Sequence, residues 1–358
     1  MNRSNKTCQF RFKNPVSLGI SCGVFLLCAA SSVEGIGNRQ EAIGKRQEGS
    51  EFRLENSELR ELEVEKRQLI HPSSFILHPS SLILLSQTLP VLTPTQPSAL
   101  NYLKQGISLI QQGKVGEAIA SFQQAARLDP SLVPAHYNLG LALRQQGHLQ
   151  PAAEAFYRAI QADPDFALGY ANLGAALLEG NNLQLARDYL QRSLILDPQL
   201  GMARYNLGLV LKSLGDTQGA IANLRQAIPL SPNAPEPSFH LGLIYLEQNN
   251  PGEAQQFLEQ AIAINPQYPE ALYNLGIILF NQNNLDASLN AFRRSAEANP
   301  NYANAYYGAG LTFMRQNRYS EAQRVFQHAK DLYTLEGNTQ WASRAERLLQ
   351  QVREGGMQ

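Results

Sequence analysis

Asn138, Asn172, Asn206 and Asn274 share one register of the sequence: the first three stand 34 residues apart, the fourth 68 further on, and His240 holds the place between. A carboxamide both donates and accepts hydrogen bonds, so a row of them can pair with the N–H and C=O groups of an extended polypeptide whatever its side chains. Tyr137, Tyr205, Phe239, Tyr273 and Tyr307 precede the row, and Leu141, Leu209, Leu243, Ile277 and Leu311 follow it by three. Aromatic residues beside an apolar strip are what a protein-binding groove uses as anchors. The competing roles are packing between repeats for the apolar residues and solvated decoration with no ligand for the asparagines. The chemistry these residues can do is recognition of a protein or extended peptide segment.

Motifs for catalysis do not accompany them. Gly113-Lys114 lacks the upstream glycine spacing and the following Ser/Thr of a phosphate-binding loop, and neither H-E-x-x-H nor G-x-S-x-G occurs. His136, His148, His240 and His328 fall at unrelated places in the 34-residue period, so no shared metal site is expected. Cys8, Cys22 and Cys28 are the only cysteines, which leaves the rest of the chain without a disulfide, a thiolate zinc site or a cysteine nucleophile. Thirty basic and thirty acidic residues cancel, so no net field draws nucleic acid or an anionic membrane. The expectation is a protein that is not an enzyme and has no catalytic residues, metal or cofactor. Charge is uneven locally: no Lys or Arg lies between Arg225 and Arg293, where Glu236, Glu247, Glu253, Glu259, Glu270 and Asp286 stand. That stretch is a solvated face or a site for a basic partner.

The elements that must position these residues follow from the same period. Gly106, Gly140, Gly174, Gly208, Gly242, Gly276 and Gly310 are spaced by 34, and so are Pro130, Pro164, Pro198, Pro232, Pro266 and Pro300. Two further registers hold Ala or Ser throughout, one from Ala118 to Ala322 and one from Ala125 to Ala329. Within a unit, His136, Leu139, Gly140 and Leu143 follow the spacing of one helix face, and Leu149, Ala152, Ala153, Phe156, Ala159 and Ile160 repeat it. The closing proline ends the second helix. A mid-helix glycine costs about 1 kcal/mol, so seven cost roughly 7 kcal/mol against a domain stability of about 5–15 kcal/mol. Such a loss is tolerable only where no side chain fits, and the expected neighbour is the small Ala/Ser position of the second helix. One helix pair cannot bury its apolar face alone, so the units must stack into a solenoid.

Units such as HYNLGLALRQQGHLQPAAEAFYRAIQADP and RYNLGLVLKSLGDTQGAIANLRQAIPLSP resemble tetratricopeptide repeats. The resemblance implies an all-α, right-handed superhelical solenoid whose first helices line a concave groove. It covers seven units over 99–336, followed by a C-terminal capping helix and tail over 337–358. The seventh unit departs from the pattern with Thr334 in place of the closing proline. The asparagine row resembles that of the superhelical repeats in O-linked N-acetylglucosamine transferase. The co-chaperone type grips a carboxylate with groove lysines, but one equivalent position here holds Leu100, Pro134, Leu168, Met202, Glu236, Glu270 and Asn304, which sets that mode aside.

Residues 1–33 combine a basic leader, an apolar run and Ala29-Ala30-Ser31, the layout of a secretory signal peptide or of a signal anchor. The expected setting is exported, periplasmic or membrane-anchored, with a cytoplasmic location as the alternative; membrane contact would come only through an uncleaved leader. Residues 34–98 read as a largely disordered low-complexity spacer, with degenerate heptads over 37–85 that place Arg39, Arg46, Arg53, Arg60 and Arg67 seven apart. The expected function is a non-catalytic scaffold or adaptor binding a protein segment in the concave groove. Its rivals are the recognition subunit of a glycosyltransferase-like system and a structural component of envelope assembly. Pro229, three residues before Pro232, is expected to shorten the second helix of unit four and alter the stacking there.

Overall fold

A computed structural model describes residues 96–355, so the leader and nearly all of the spacer lie outside the described residues. Fifteen helices fill that span, two per unit: α1 (Pro97–Gln111), α2 (Val115–Leu128), α3 (Val133–Gln145), α4 (Leu149–Ala162), α5 (Ala167–Glu179), α6 (Leu183–Leu196), α7 (Gly201–Ser213) and α8 (Thr217–Leu230). The series continues with α9 (Glu236–Glu247), α10 (Pro251–Ile264), α11 (Pro269–Asn281), α12 (Leu285–Ala298), α13 (Ala303–Arg315) and α14 (Tyr319–Leu335), and closes with α15 (Thr339–Gly355). Each helix packs on the next, giving a superhelical array of helix pairs. None of the described helices is long and apolar enough to cross a membrane.

Two periodic turns set the geometry. Between the helices of each unit stands one residue of positive φ: Gly113, Gly147, Asn181, Gly215, Asn249, Asn283 or Asn317. Glycine and asparagine are the residues that tolerate this left-handed conformation. The following N–H then reaches back five residues, as from Lys114 to the Leu109 carbonyl at 2.9 Å. Between units, the side chains of Asp129, Asp163, Asp197, Asn265 and Asn299 accept from the backbone N–H two residues on, at 2.9–3.1 Å. These turns close on themselves and hand the chain to the next helix.

The repeat glycines face a residue other than the one expected. A Cβ on Gly140 would lie 2.6 Å from the Phe156 ring, and one on Gly174 would lie 2.5 Å from the Leu190 Cγ. It is the large side chain of the second helix, Phe or Leu, that lies flat on each glycine. The neighbouring alanine contributes only its backbone carbonyl, as Ala186 does to Gly174 at 3.2 Å. A bulky ring over a bare backbone buries more area than two small residues in contact, which is why the glycine is needed.

The expected shortening at Pro229 does not occur. α8 has 14 residues, as α4, α6, α10 and α12 do. Pro229 is its last residue but one, and the N–H of Ser231 still reaches the Ala227 carbonyl at 2.9 Å, so the final turn closes. The irregularity lies one step later. Ser231 replaces the Asp/Asn of the inter-unit turn, and α9 starts one residue late at Glu236, with Pro235 as its cap. Successive first helices approach one another from α3 to α5, α5 to α7 and α11 to α13, so the array curves with its first helices inside. On both sides of α9 this approach is sparser.

Buried apolar residues form three clusters, Ala99 to Val210, Ala220 to Ile278 and Tyr273 to Val352, with Leu211 packing on both the first and the second. α14 runs past its siblings because Thr334 lets the helix continue. α15 then covers the end of the array with Ala345, Leu348, Leu349 and Val352, while Trp341 packs its ring against Tyr307 at 5.3 Å.

Candidate peptide-binding face

The inner face is built from the first helices, and the asparagine register runs along it. The row is not open to solvent as expected. Asn138, Asn172, Asn206 and Asn274 are 0, 2, 1 and 8% exposed. The flanking aromatics Tyr137, Phe239, Tyr273 and Tyr307 are also core residues rather than free anchors, and only Tyr205 and His240 keep partly exposed surface. The rings explain it. Tyr137 packs against Phe156 at 5.8 Å and edge-on to Phe166 at 5.2 Å, while Phe239 meets Tyr268 at 4.8 Å and Tyr273 meets Tyr302 at 5.5 Å. Each ring fills the wedge between the two helices of its unit and the turn that follows. Leu141, Leu209, Ile277 and Leu311 are buried in the same way, whereas Leu243 of α9 is partly exposed.

Asn172 is fully used inside the array. Its Nδ2 donates to the Tyr137 Oη and to the Leu168 carbonyl, both at 3.1 Å, and its Oδ1 accepts from Arg144 Nη1 at 3.4 Å. Arg144 continues the network, donating through Nε to Glu179 Oε1 at 2.8 Å, with both side chains nearly enclosed. Burial raises the Tyr137 hydroxyl well above the usual phenol range, so it stays protonated and available to this network. No amide group of Asn172 is left for a ligand.

These contacts share a spacing that sequence reading had missed. Tyr137 to Asn172, Arg144 to Glu179 and Lys212 to Glu247 each join residues 35 apart, linking one first helix to the next. Arg315 does the same to Phe280, lying 5.0 Å over its ring and donating to its carbonyl at 3.3 Å. The available signal was complementarity at i, i+35 rather than identity at i, i+34.

Asn206 differs from Asn172. The residue 35 before it is Ala171, which offers no hydroxyl, and neither Nδ2 nor Oδ1 of Asn206 has a hydrogen-bond partner. His240, next in the row, sits against the Tyr205 ring at 5.7 Å and the Phe239 ring at 5.3 Å. Burial pulls its imidazole down to about 4, so it is neutral near pH 7. Asn274 donates to the Glu270 carbonyl of its own helix at 2.7 Å. The unspent polar capacity of the row therefore gathers around α7 and α9, where the first helices stand further apart.

Elsewhere, His136 is held against the Pro130 carbonyl at 3.0 Å, and His328 packs edge-on to Tyr306 at 4.4 Å. No group of three His, Cys, Asp or Glu among the described residues comes together to hold a metal ion. A cavity of about 470 Å³ with apolar walls, Leu289, Phe292 and Phe313 among them, lies between α12, α13 and α14.

A stack of helix pairs with a glycine under each large side chain and a left-handed residue at each inner turn defines an α-helical repeat protein. The tetratricopeptide repeat family matches residues 103–167, 152–201, 239–303 and 273–334, and a TPR repeat match covers 208–249. Those spans take in more than half of the chain, which belongs to the tetratricopeptide repeat family. Among solved structures, a tetratricopeptide repeat protein of Parabacteroides merdae is 18% identical with a TM-score of 0.51, over 72% of this chain and 100% of that one. The pilF protein of Pseudomonas aeruginosa is 19% identical with a TM-score of 0.52, over 58% and 95%. Both share the fold. YrrB, described as a TPR protein with an unusual peptide-binding site, is 26% identical with a TM-score of 0.45, over 55% and 99%. No curated protein matches the chain in sequence.

Proposed function

We propose that the chain is a non-catalytic scaffold or adaptor that holds an extended segment of a partner protein along the inner face of its first helices. The observation that carries this reading is Asn206. A buried carboxamide with neither atom paired costs about 1–3 kcal/mol per group, and such a cost is retained where a ligand relieves it. The row then acts over its stretch at α7 and α9 rather than as a uniform ladder, because Asn172 is spent on its neighbours. The setting we propose is outside the cytoplasm, on the layout of the leader alone; the intact mass of the chain from an envelope fraction decides it.

The test compares two photo-crosslinking variants of the tagged chain, expressed in its own cells. One carries the probe at Met202, on the inner side of α7, and the other at Ile195, which is 69% exposed on α6. Mass spectrometry of the adducts should find one recurrent polypeptide segment at position 202 and not at 195. The reverse pattern would place binding on the second helices and end the groove reading.

A further inference from the structure

Glu236 and Glu270 occupy the same register in units five and six, in the first turns of α9 and α11. Neither forms an ion pair among the described residues, and the sequence has no Lys or Arg between Arg225 and Arg293. The basic groups of α7 and α8 are already engaged, Arg204 among them, which donates to the Pro198 carbonyl at 3.0 Å. Lys212 pairs with Glu247, and Arg225 donates to the Tyr245 hydroxyl at 2.8 Å. Glu236 and Glu270 stand one helical turn before His240 and Asn274, on the same faces of α9 and α11, and the rings of Tyr205, His240, Phe239 and Tyr268 pack one against the next from α7 to the start of α11 at 4.8–5.7 Å, so the two half-buried acids border a run of aromatic surface. Burial first, and then the nearby negative charge of Glu236, raises the Tyr205 and Tyr268 hydroxyls, so both stay protonated. Asn206, 1% exposed and unpartnered, lies one helical turn after Met202, whose register Glu236 and Glu270 share in the next two units, and the neutral ring of His240 lies against Tyr205 from α9. This is a space with acceptors, aromatic walls and no cation of its own.

We propose that this space between α7, α9 and α11 takes the side chain of an arginine in the bound segment, so that the partner is recognised by a basic residue as well as by its backbone. This rests on the reading of the inner face as a peptide groove. A guanidinium meets every feature of the space. Its planar face stacks on a tyrosine ring, and its N–H fork pairs with a half-buried carboxylate. Its donors suit the Asn206 Oδ1, while the Asn206 Nδ2 is left for a backbone carbonyl. A metal ion does not fit, because no three ligating side chains converge there. Neutral His240 adds no repulsion at pH 7. An acid in the first turn of a helix also favours that helix through its dipole, whatever binds nearby. That role alone creates no preference among peptides.

The experiment pans a library of random twelve-residue peptides on phage against the full chain and reads the enriched sequences. Arginine should recur at one position. A selected peptide should lose at least about tenfold in affinity when that arginine is made citrulline, its neutral isostere. A similar loss is expected when the wild-type peptide meets the E236Q/E270Q variant, checked for unchanged helical signal and unfolding midpoint. The citrulline arm uses the wild-type chain, so it decides the matter even if the variant fails to fold. Enriched peptides with no basic preference, or equal binding of the citrulline form, overturn the arginine site while leaving the groove reading intact. If no peptide is enriched above an unrelated control protein, the groove reading falls and the arginine site falls with it.

Discussion

Asn172 and Asn206 share one register of the repeat, yet replacing each by leucine should move stability in opposite directions. Leucine has the same branched arrangement of side-chain heavy atoms as asparagine but no polar ones, and its bulkier methyl groups press on a fully buried site in both variants, so the difference between the two reads hydrogen bonding. At Asn172 the change removes donors to the Tyr137 hydroxyl and the Leu168 carbonyl and an acceptor for Arg144. Each bond contributes about 0.5–1.5 kcal/mol net, and a stranded buried hydroxyl at Tyr137 adds about 1–3 kcal/mol. The expected loss for Asn172→Leu is about 3 kcal/mol. At Asn206 no bond is lost, because both amide atoms are already unpaired. Removing two buried unsatisfied groups should stabilise the array by about 1–2 kcal/mol. Urea unfolding followed by circular dichroism reads the sign. Hydrogen exchange in α5 and α7 localises it, since repeat arrays open by segments rather than as one unit. Equal losses in the two variants would refute the reasoning: Asn206 would then have partners in solution, and the inner row would be uniform after all.

Other outcomes follow from the same contacts. Gly140→Ala should destabilise by about 1–3 kcal/mol, because its Cβ would press on the Phe156 ring at 2.6 Å, whereas Gly116→Ala, which meets only Gln146 at 3.9 Å, should stabilise by about 0.5–1 kcal/mol; thermal melts compare the two. Glu179→Leu should cost about 3 kcal/mol by removing the carboxylate that pairs with the nearly enclosed Arg144 guanidinium, and adding Arg144→Met should recover most of it in a denaturant titration. His240 binds its proton near pH 4 when folded but near 6.5 when unfolded, so between those values the unfolded chain holds more protons and stability rises with pH. The contribution, up to about 3 kcal/mol, is complete above pH 6.5 and lost as pH falls towards 4; His240→Asn should flatten that part of a midpoint-against-pH plot, and an unchanged slope would remove His240 as its source.

The repeat glycines, closing prolines and Ala/Ser registers determine the fold by themselves, because each acts within one unit and the unit recurs. A glycine every 34 residues requires a close helix pair, and a proline every 34 residues ends it. The left-handed turn residues Gly113 to Asn317 were equally legible, since only Gly and Asn occupy that place. Tertiary structure decided everything that depends on the next unit. The Tyr137 hydroxyl 35 residues before Asn172 takes one of its donors, whereas Ala171 offers Asn206 none. Helical periodicity put Tyr137 and Tyr273 towards the groove side, but the depth of the wedge between helices determined that their rings are swallowed by it. Pro229 looked disruptive by residue type, and its place in the last turn of α8 made it harmless. A repeat pattern records what each unit needs, whereas burial and pairing on the inner face depend on how closely neighbouring first helices approach, and that distance is set by packing along the whole array.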